Sequence, residues 1–149
     1  TNLAMRVLMH CGVNAGRIVR KHEIADACNA SENHLAQVIN TLGQMGLIET
    51  QRGRAGGIRI ARPLSELRVG AVFRAFEMGV PFAECFDPMA NSCPLSACCR
   101  LREALAAAVE AFYASLDAIT LEDLVRGNSG LDHLLRLSDA RPMPVCVPA

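Results

Sequence analysis

The fold of this chain is decided by residues 31–62, which read SENHLAQVINTLGQMGLIETQRGRAGGIRIAR. Ser31 is a good N-cap, and the helix predicted after it runs to Met45, where Gly46 ends it. The apolar residues of this helix form one stripe, and its opposite side is polar, with Asn33, His34, Gln37, Thr41 and Gln44. Such side chains can read base edges in the major groove of DNA. The segment therefore predicts a recognition helix that begins at Ser31.

A second, shorter helix precedes this one. It is predicted from about His22 to Asn29, and Gly16 separates it from a first helix predicted over residues 2–12. Two short helices joined by a tight turn at residues 29–31 form a helix-turn-helix, whose second helix enters the major groove. The alternative is a plain helical hairpin with a solvated polar face.

A hairpin follows directly and favours DNA binding over that alternative. Residues 47–50 alternate like a strand, and the chain returns over residues 58–62 after the tip QRGRAGG. A hairpin placed after a helix-turn-helix is a wing. Its glycines let the backbone approach DNA closely, and Arg52 and Arg54 can reach phosphates or a narrow minor groove. An anion-binding loop is the alternative for the hairpin alone, but the tip lacks the lysine and the following helix of a P-loop.

The cysteines are concentrated in residues 85–99, CFDPMANSCPLSACC, which hold four of the seven in the chain. A disulfide framework suits small secreted domains, whereas this chain is large enough to bury a core and shows no signal peptide. A structural zinc site wants close pairs of ligands, and only Cys93 and Cys98 form one. Cys85, Cys93 and Cys99 form a C-x7-C-x5-C pattern that favours an iron–sulfur cluster, whose ligands surround a wider inorganic core.

The charge of the chain is uneven although its formal net charge is zero. Residues 1–79 hold ten Arg or Lys against six Asp or Glu, and residues 80–149 hold five against nine. A basic N-terminal part is typical of a protein that faces a polyanion, although an ordinary solvated surface would look similar. No apolar run approaches the length of a membrane span, so we expect a cytoplasmic protein.

The remaining helices complete the predicted architecture. One is predicted over residues 65–78, with Glu77 near its end and Phe73 and Phe76 packed inward. A long, Ala-rich helix follows Cys99 for about five turns and is predicted to be a dimerisation helix, with packing inside one chain as its alternative. A capping box at Thr120 opens a short helix that closes at Gly127, and a further turn or two of helix is expected over residues 131–137.

The predicted fold is therefore mainly α with a small β-hairpin, a winged helix-turn-helix joined to a long dimerisation helix. Four segments are expected: a DNA-binding domain over residues 1–79, a cysteine loop over 80–99, the dimerisation helix and short helix over 100–127, and a tail over 128–149 that is partly disordered. Cys146, in the tail, is not expected to be a ligand.

Over nearly its whole length the chain resembles the Rrf family of winged-helix iron–sulfur regulators. The residues that carry the resemblance are Thr1-Asn2 with Arg6-Val7-Leu8-Met9, Asn33-His34-Leu35 with Val38, Arg52-Gly53-Arg54-Ala55-Gly56-Gly57, the cysteine loop and Leu121-Glu122-Asp123-Leu124. The loop that begins Glu84-Cys85-Phe86-Asp87-Pro88 is most similar to that of the nitric-oxide-sensitive repressors. Iron-responsive repressors of the same family share its cysteine spacing.

The resemblance implies a homodimer bound to double-stranded promoter DNA, with a [4Fe–4S] or [2Fe–2S] cluster on Cys85, Cys93 and Cys99. It also implies that nitric oxide nitrosylates the iron and releases the repressor from DNA. Cys98 creates a rival C-x7-C-x4-C set, but Cys99 reproduces the family spacing and Cys98 is interpreted as a small buried residue. In some members of the family the fourth ligand is an Asp from the other subunit. Asn2 occupies that position here, so the expected fourth ligand is Asn2, water or a small molecule.

A different class of function is an enzyme or electron carrier that uses the cluster. Catalysis would need an organised acid–base set, whereas the four histidines are scattered and none lies in the cysteine loop. The chain is therefore predicted not to be an enzyme. Arg6 and Glu77 are predicted to pair across the dimer near the cluster and to couple it to the DNA-binding unit. Their alternative is that they are unrelated surface charges.

Overall fold

The computed structural model describes residues 1–53, 56–77 and 79–136. This part of the chain is mainly helical with a two-stranded hairpin, so the predicted fold class is confirmed. The helices are α1 (Asn2–Val13), α2 (Lys21–Cys28), α3 (Glu32–Gln44), α4 (Val69–Glu77), α5 (Arg100–Asp117), α6 (Leu121–Val125) and α7 (Ser129–Leu135), and the strands are β1 (Ile48–Gln51) and β2 (Gly57–Ile60). Among the helices described, none is long and apolar enough to cross a lipid bilayer.

The chain forms two compact units. The first combines residues 1–67 with the described residues from Thr120 onward, and the second is Arg68–Ile119. The first unit contains α1, α2, α3, the hairpin, α6 and α7. The second contains α4, the cysteine segment (residues 85–99) and α5.

The core of the first unit follows the apolar periodicity of its helices. Val7 and Leu8 of α1 are fully buried, as are Ile24 of α2 and Leu35 and Leu42 of α3. Fully burying a side chain of this size contributes roughly 1.5–3 kcal/mol of transfer free energy. The packing of α1 beneath α2 and α3 therefore fixes how α3 is presented to solvent.

The turn between α2 and α3 is held from α1. Asn29 ends α2 in the left-handed conformation, with a φ of 47°, which asparagine tolerates better than most residues. The Arg6 guanidinium donates from Nη1 to the Cys28 carbonyl oxygen at 3.0 Å, in the last turn of α2. Because C-terminal helix carbonyls lack intrahelical donors, this contact satisfies one of them and ties α1 to the turn.

The wing is attached to the segment before α2. β1 and β2 pair antiparallel, with Thr50 opposite Ile58, and Ile58 also exchanges two backbone hydrogen bonds of 2.8 Å with Val19. Gly57 permits this approach, because a Cβ there would lie 2.5 Å from the Val19 carbonyl oxygen. Backbone contacts on both edges of β2 thus anchor the base of the wing.

The chain returns to the first unit after α5. The predicted capping box is confirmed: the Thr120 hydroxyl accepts from the Asp123 amide at 3.1 Å, and the Asp123 carboxylate accepts from the Thr120 amide at 2.8 Å. Asn128 caps α7, and the Asn14 side chain donates to the Leu135 carbonyl at 2.8 Å. Helices α6 and α7 therefore belong to the unit that contains the helix-turn-helix.

The prediction of one helix over residues 65–78 is wrong at its start. A short 3₁₀ helix covers Leu64–Glu66, Leu67 is extended, and α4 begins only at Val69. The Leu67 carbonyl accepts from the Leu121 amide at 2.8 Å, so it is not available to an α-helical turn. Phe73 and Phe76 are half-buried rather than buried.

In the second unit α4 packs on α5. The Arg74 guanidinium donates to Asp117 at 2.7 Å and to Glu110 at 3.0 Å, and it lies 4.5 Å from the centroid of the Tyr113 ring. A Cβ on Gly70 would lie 2.7 Å from the Asp117 backbone nitrogen, so a glycine is needed where the two helices approach closely. This close contact fixes α4 against the C-terminal turns of α5.

One buried residue of the first unit has an unusual environment. His10 is inaccessible to solvent, and neither ring nitrogen has a hydrogen-bond partner among the residues that the structure describes. Burial lowers the pKa of His10, Arg17 lowers it further, and Glu23 opposes both. The neutral imidazole is the form that the folded state accommodates.

We expect the free energy of unfolding to fall as the pH drops below about 6.5, the ordinary pKa of histidine. His10 has its lower pKa in the folded state, so the unfolded chain takes up the proton first as the pH falls. The free energy of unfolding is therefore highest above the ordinary pKa and declines as the pH approaches the lowered pKa. The decline is at most about 1.4 kcal/mol per pH unit. His10→Leu is expected to remove this component and to leave stability at pH 7.5 equal or higher.

Urea unfolding of the apoprotein from pH 5 to 8 measures the effect, with His22→Gln at an exposed position as the control. A His10→Leu variant with the same pH dependence as the wild type would show that His10 does not titrate on unfolding.

Candidate functional site

The recognition surface is built on α3. Ser31 caps the helix, its hydroxyl oxygen accepting from the His34 amide at 3.3 Å. Asn33, His34 and Gln37 are exposed, as the sequence predicts for residues that read DNA. Thr41 is half-buried, and its hydroxyl donates to the Gln37 carbonyl at 3.2 Å, so that hydroxyl proton is already engaged within the helix.

One residue of this surface is not among those predicted from the sequence. Asn40 is exposed and lies one turn after Gln37, on the same side of α3. It also lines a groove of about 710 Å³ between α3 and β1, together with Gln44 and Thr50. Helical periodicity counted from Asn33 and Gln37 would have found it.

The charges around α3 suit a polyanionic partner. Glu32, the acidic residue in the first turn, pairs with Lys21 of α2 at 2.8 Å, and a hydrogen bond from Lys21 together with its positive charge lowers the pKa of Glu32. On the wing Arg59 pairs with Glu49 across the strands at 2.7 Å. Arg52 is exposed at the tip. Arg54, also predicted to contact DNA, lies outside the described residues.

The cysteine segment lies in the second unit. Cys85 falls in a 3₁₀ turn, Glu84–Phe86, and Cys99 is the N-cap of α5. Cys85, Cys93 and Cys99 are half-buried free thiols, and Cys98 is a free thiol that is exposed. The interpretation of Cys98 as a small buried residue is therefore wrong; it projects from the turn just before α5, where neighbouring chain does not cover it.

Polar contacts organise the backbone of this segment. The Glu84 carboxylate accepts from the Ser92 amide at 2.8 Å and from the Ser92 hydroxyl at 2.5 Å, and these hydrogen bonds lower the pKa of Glu84. Asn91 accepts from the Cys93 amide at 3.1 Å. Arg102 donates from Nε to the Cys85 carbonyl at 2.9 Å. No sequence pattern predicts a role for these side chains in the segment.

The described cysteines outside this segment have a different character. Cys11 and Cys28 are buried in the first unit. Burial, and then the neighbouring Cys28, raises the pKa of Cys11 to about 12, and burial also raises the pKa of Cys28. Thiols held in the protonated form are poor ligands and poor nucleophiles, so these two are poor candidates for cluster ligands. Cys146 lies outside the described residues.

The thiols of the segment fit a cluster by their chemistry. In the described parts of the chain, no three His, Cys, Asp or Glu side chains converge on one position that could hold a single metal ion. In a cluster the thiolates are divided among two or four irons, so the ligand set spans a wider core than the ligands of one ion do. Free, partly accessible thiols on one folded segment are the donor set that such a cluster requires.

The residues predicted to link the thiols to the DNA-binding unit lie at helix ends. Asn2 is the exposed first residue of α1, and Glu77 is the half-buried last residue of α4. Arg6 lies one turn after Asn2 and donates to Cys28, as described above. The structure thus gives Arg6 a role at the turn between α2 and α3 that the sequence did not reveal.

The exposed polar face of α3, its cap and the hairpin that follows define a winged helix-turn-helix protein of the DNA-binding class. The family model for Rrf2, described as an iron-dependent transcriptional regulator, matches residues 1–127. The chain belongs to the Rrf2 family of transcriptional regulators.

Sequence similarity to known relatives covers most of the chain. An HTH-type transcriptional regulator NsrR of Geobacillus kaustophilus (strain HTA426) is 43% identical over 137 residues, 91% of this chain and 93% of that protein. Protein aau3 of Rhizobium meliloti (strain 1021) is 40% identical over 139 residues, 93% and 90%. The solved structure of T. potens IscR has 27% identity and a TM-score of 0.61, over 83% of this chain and 78% of that one. The family model and the NsrR relative confirm the predicted family, and they confirm transcriptional regulation rather than enzyme catalysis as the class of function.

Proposed function

We propose that this protein is a promoter-bound repressor that senses nitric oxide through an iron–sulfur cluster and releases DNA when the cluster is nitrosylated or lost. The observation that carries the proposal is the set of free, half-buried thiols at C-x7-C-x5-C spacing in a chain with a winged helix-turn-helix. A regulator of promoter DNA acts in the cytoplasm, where such DNA lies.

Cys85, Cys93 and Cys99 are the proposed ligands. The fourth position is assigned to Asn2 of the partner subunit, to water or to a small molecule. An amide oxygen is neutral and ligates iron weakly beside thiolates, so this position is the most open to an incoming effector. When bound, the cluster, [4Fe–4S] or [2Fe–2S], supplies iron to which nitric oxide binds.

A homodimer through α5 is part of the proposal. The helix has 18 residues, about 27 Å, and none of its described side chains is buried within the chain. Leu101 and Phe112 are 65% and 51% exposed. Phe73, Phe86 and Tyr113 line an open groove of about 1130 Å³ along the same unit. The same helix of a second copy would cover this apolar surface, whose exposure to water is unfavourable.

Iron availability is the second candidate signal. The matched family model is described as iron-dependent, and iron-responsive members share the cysteine spacing of residues 85–99. In that case the repressor would release DNA when iron is scarce, without requiring nitric oxide.

One experiment separates the two signals. The protein is purified without oxygen, and its visible absorption and its affinity for promoter DNA are measured after adding either nitric oxide or an iron chelator. We expect stoichiometric nitric oxide to change the spectrum and release the DNA. Over the same time the chelator should change neither the spectrum nor DNA binding. Release by the chelator alone would favour the iron-responsive function, and a colourless, iron-free protein that binds the promoter tightly would contradict both.

We further propose that Arg6 and Glu77 couple the cluster to DNA binding. An acidic and a basic side chain in contact across the dimer would hold α1, and α1 holds the turn before α3 through Cys28. In a double-mutant cycle on operator affinity, Arg6→Ala and Glu77→Ala are expected to show coupling in the holoprotein that is absent in the apoprotein.

The apoprotein is the internal control, because Arg6→Ala also removes the contact with Cys28 in both forms. An exposed ion pair contributes only ~0–1 kcal/mol. Equal coupling in the two forms, or none in either, would show that this pair does not transmit the state of the cluster.

A further inference from the structure

The backbone next to two of the proposed ligands is tied together by one carboxylate. Glu84 directly precedes Cys85, and Ser92 directly precedes Cys93. The Glu84 carboxylate accepts from both donors of Ser92, the amide at 2.8 Å and the hydroxyl at 2.5 Å. These two bonds close the loop between Cys85 and Cys93, so the residues adjoining the two cysteines are held side by side.

A second side chain joins Cys85 to Cys99. Arg102 donates from Nε to the Cys85 carbonyl at 2.9 Å, and its own backbone amide donates to the Cys99 carbonyl at 3.1 Å. Its guanidinium lies 5.7 Å from the centroid of the Phe86 ring, which restricts it further. Because Arg102 is in the first turn of α5, it fixes Cys85 to the start of the helix that Cys99 caps.

We propose that Glu84 and Arg102 are positioning residues, which hold the backbones of Cys85, Cys93 and Cys99 in one arrangement before the cluster binds. This inference rests on the proposed cluster function, and neither residue is assigned as a ligand. A flexible loop loses conformational freedom when its thiols bind the cluster, and this entropy loss weakens binding. A loop already closed by Glu84 and Arg102 loses less. The ordinary alternative is that both contacts only satisfy polar groups of a surface loop.

The test measures the rate at which anaerobic holoprotein loses iron to a chelator. Glu84→Ala and Arg102→Leu are each expected to accelerate iron loss about tenfold, because each removes hydrogen bonds that hold the backbones of the cysteines together. Glu84→Gln is expected to release iron close to the wild-type rate, since its amide oxygen accepts the same two bonds from Ser92. Glu103→Ala and Arg100→Leu, at exposed positions of α5, are the matched controls.

A second measurement reports on the loop without the cluster. In the apoprotein, amide hydrogen exchange at Ser92 is expected to be slower in the wild type and in Glu84→Gln than in Glu84→Ala. A carboxylate that ligated iron would behave differently: Glu84→Gln would then lose iron as fast as Glu84→Ala, although its loop stayed protected, and the positioning role would be wrong.

The outcomes separate this inference from the function on which it rests. If the wild type binds iron but Glu84→Ala and Arg102→Leu release it at the control rate, the positioning role is contradicted and the cluster function stands. If wild-type protein made without oxygen binds no iron, the cluster function itself fails.

Discussion

Replacing Cys85, Cys93 or Cys99 by serine is expected to remove nearly all bound iron, whereas Cys98→Ser retains it. Serine offers a harder and weaker donor than a thiolate, so a cluster held by three cysteines does not survive the loss of one. Iron and acid-labile sulfide per chain, measured with the visible spectrum on protein purified without oxygen, quantify the effect.

Cys98→Ser is the matched control, because Cys98 is a free thiol in the same segment and is more exposed than Cys99. Its neighbour Cys99 is the N-cap residue of α5, whereas Cys98 belongs to the turn before the helix. Iron retained by Cys99→Ser but lost by Cys98→Ser would assign the ligands to the C-x7-C-x4-C pattern instead.

Substitutions on α3 and on the wing are expected to have different effects on DNA binding. His34→Ala or Gln37→Ala should weaken operator binding by ~1–3 kcal/mol for each lost base contact, with little change on random DNA. Arg52→Ala and Arg54→Ala should weaken binding to every sequence and reduce the salt dependence by about one unit per lost phosphate contact. Fluorescence anisotropy at several salt concentrations, on operator and random duplexes, measures both effects.

Arg59→Ala is the control for the wing, since Arg59 is already paired with Glu49. Asn40→Ala extends the test to the polar residue of α3 that the sequence analysis missed. Equal losses on operator and random DNA from all four predicted residues would contradict the assignment of base reading to α3 and phosphate contact to the wing.

Local patterns in the sequence were sufficient for the elements of the DNA-binding unit. The apolar stripe of α3 and the Ser31 cap predicted that helix, alternation and glycines predicted the hairpin, and Thr120 with Asp123 predicted the start of α6. Each of these depends on residues a few positions apart, because hydrogen bonds in caps and turns and the repeat of a helix are local. Cysteine spacing likewise indicated which segment supplies the thiols.

Contacts between distant residues were decided by the tertiary structure. Leu67 is extended because its carbonyl accepts from the Leu121 amide. The wing is positioned by its backbone hydrogen bonds with Val19, and the end of α2 is held by the Arg6 guanidinium. The bonds of Glu84 with Ser92 and of Arg102 with Cys85 likewise join residues that no short pattern relates. The sequence by itself therefore determined the hairpin, the helices apart from the start of α4, and the segment in which the cysteines are concentrated. Their partners were settled only by folding, because a hydrogen bond between distant residues depends on how the whole core packs.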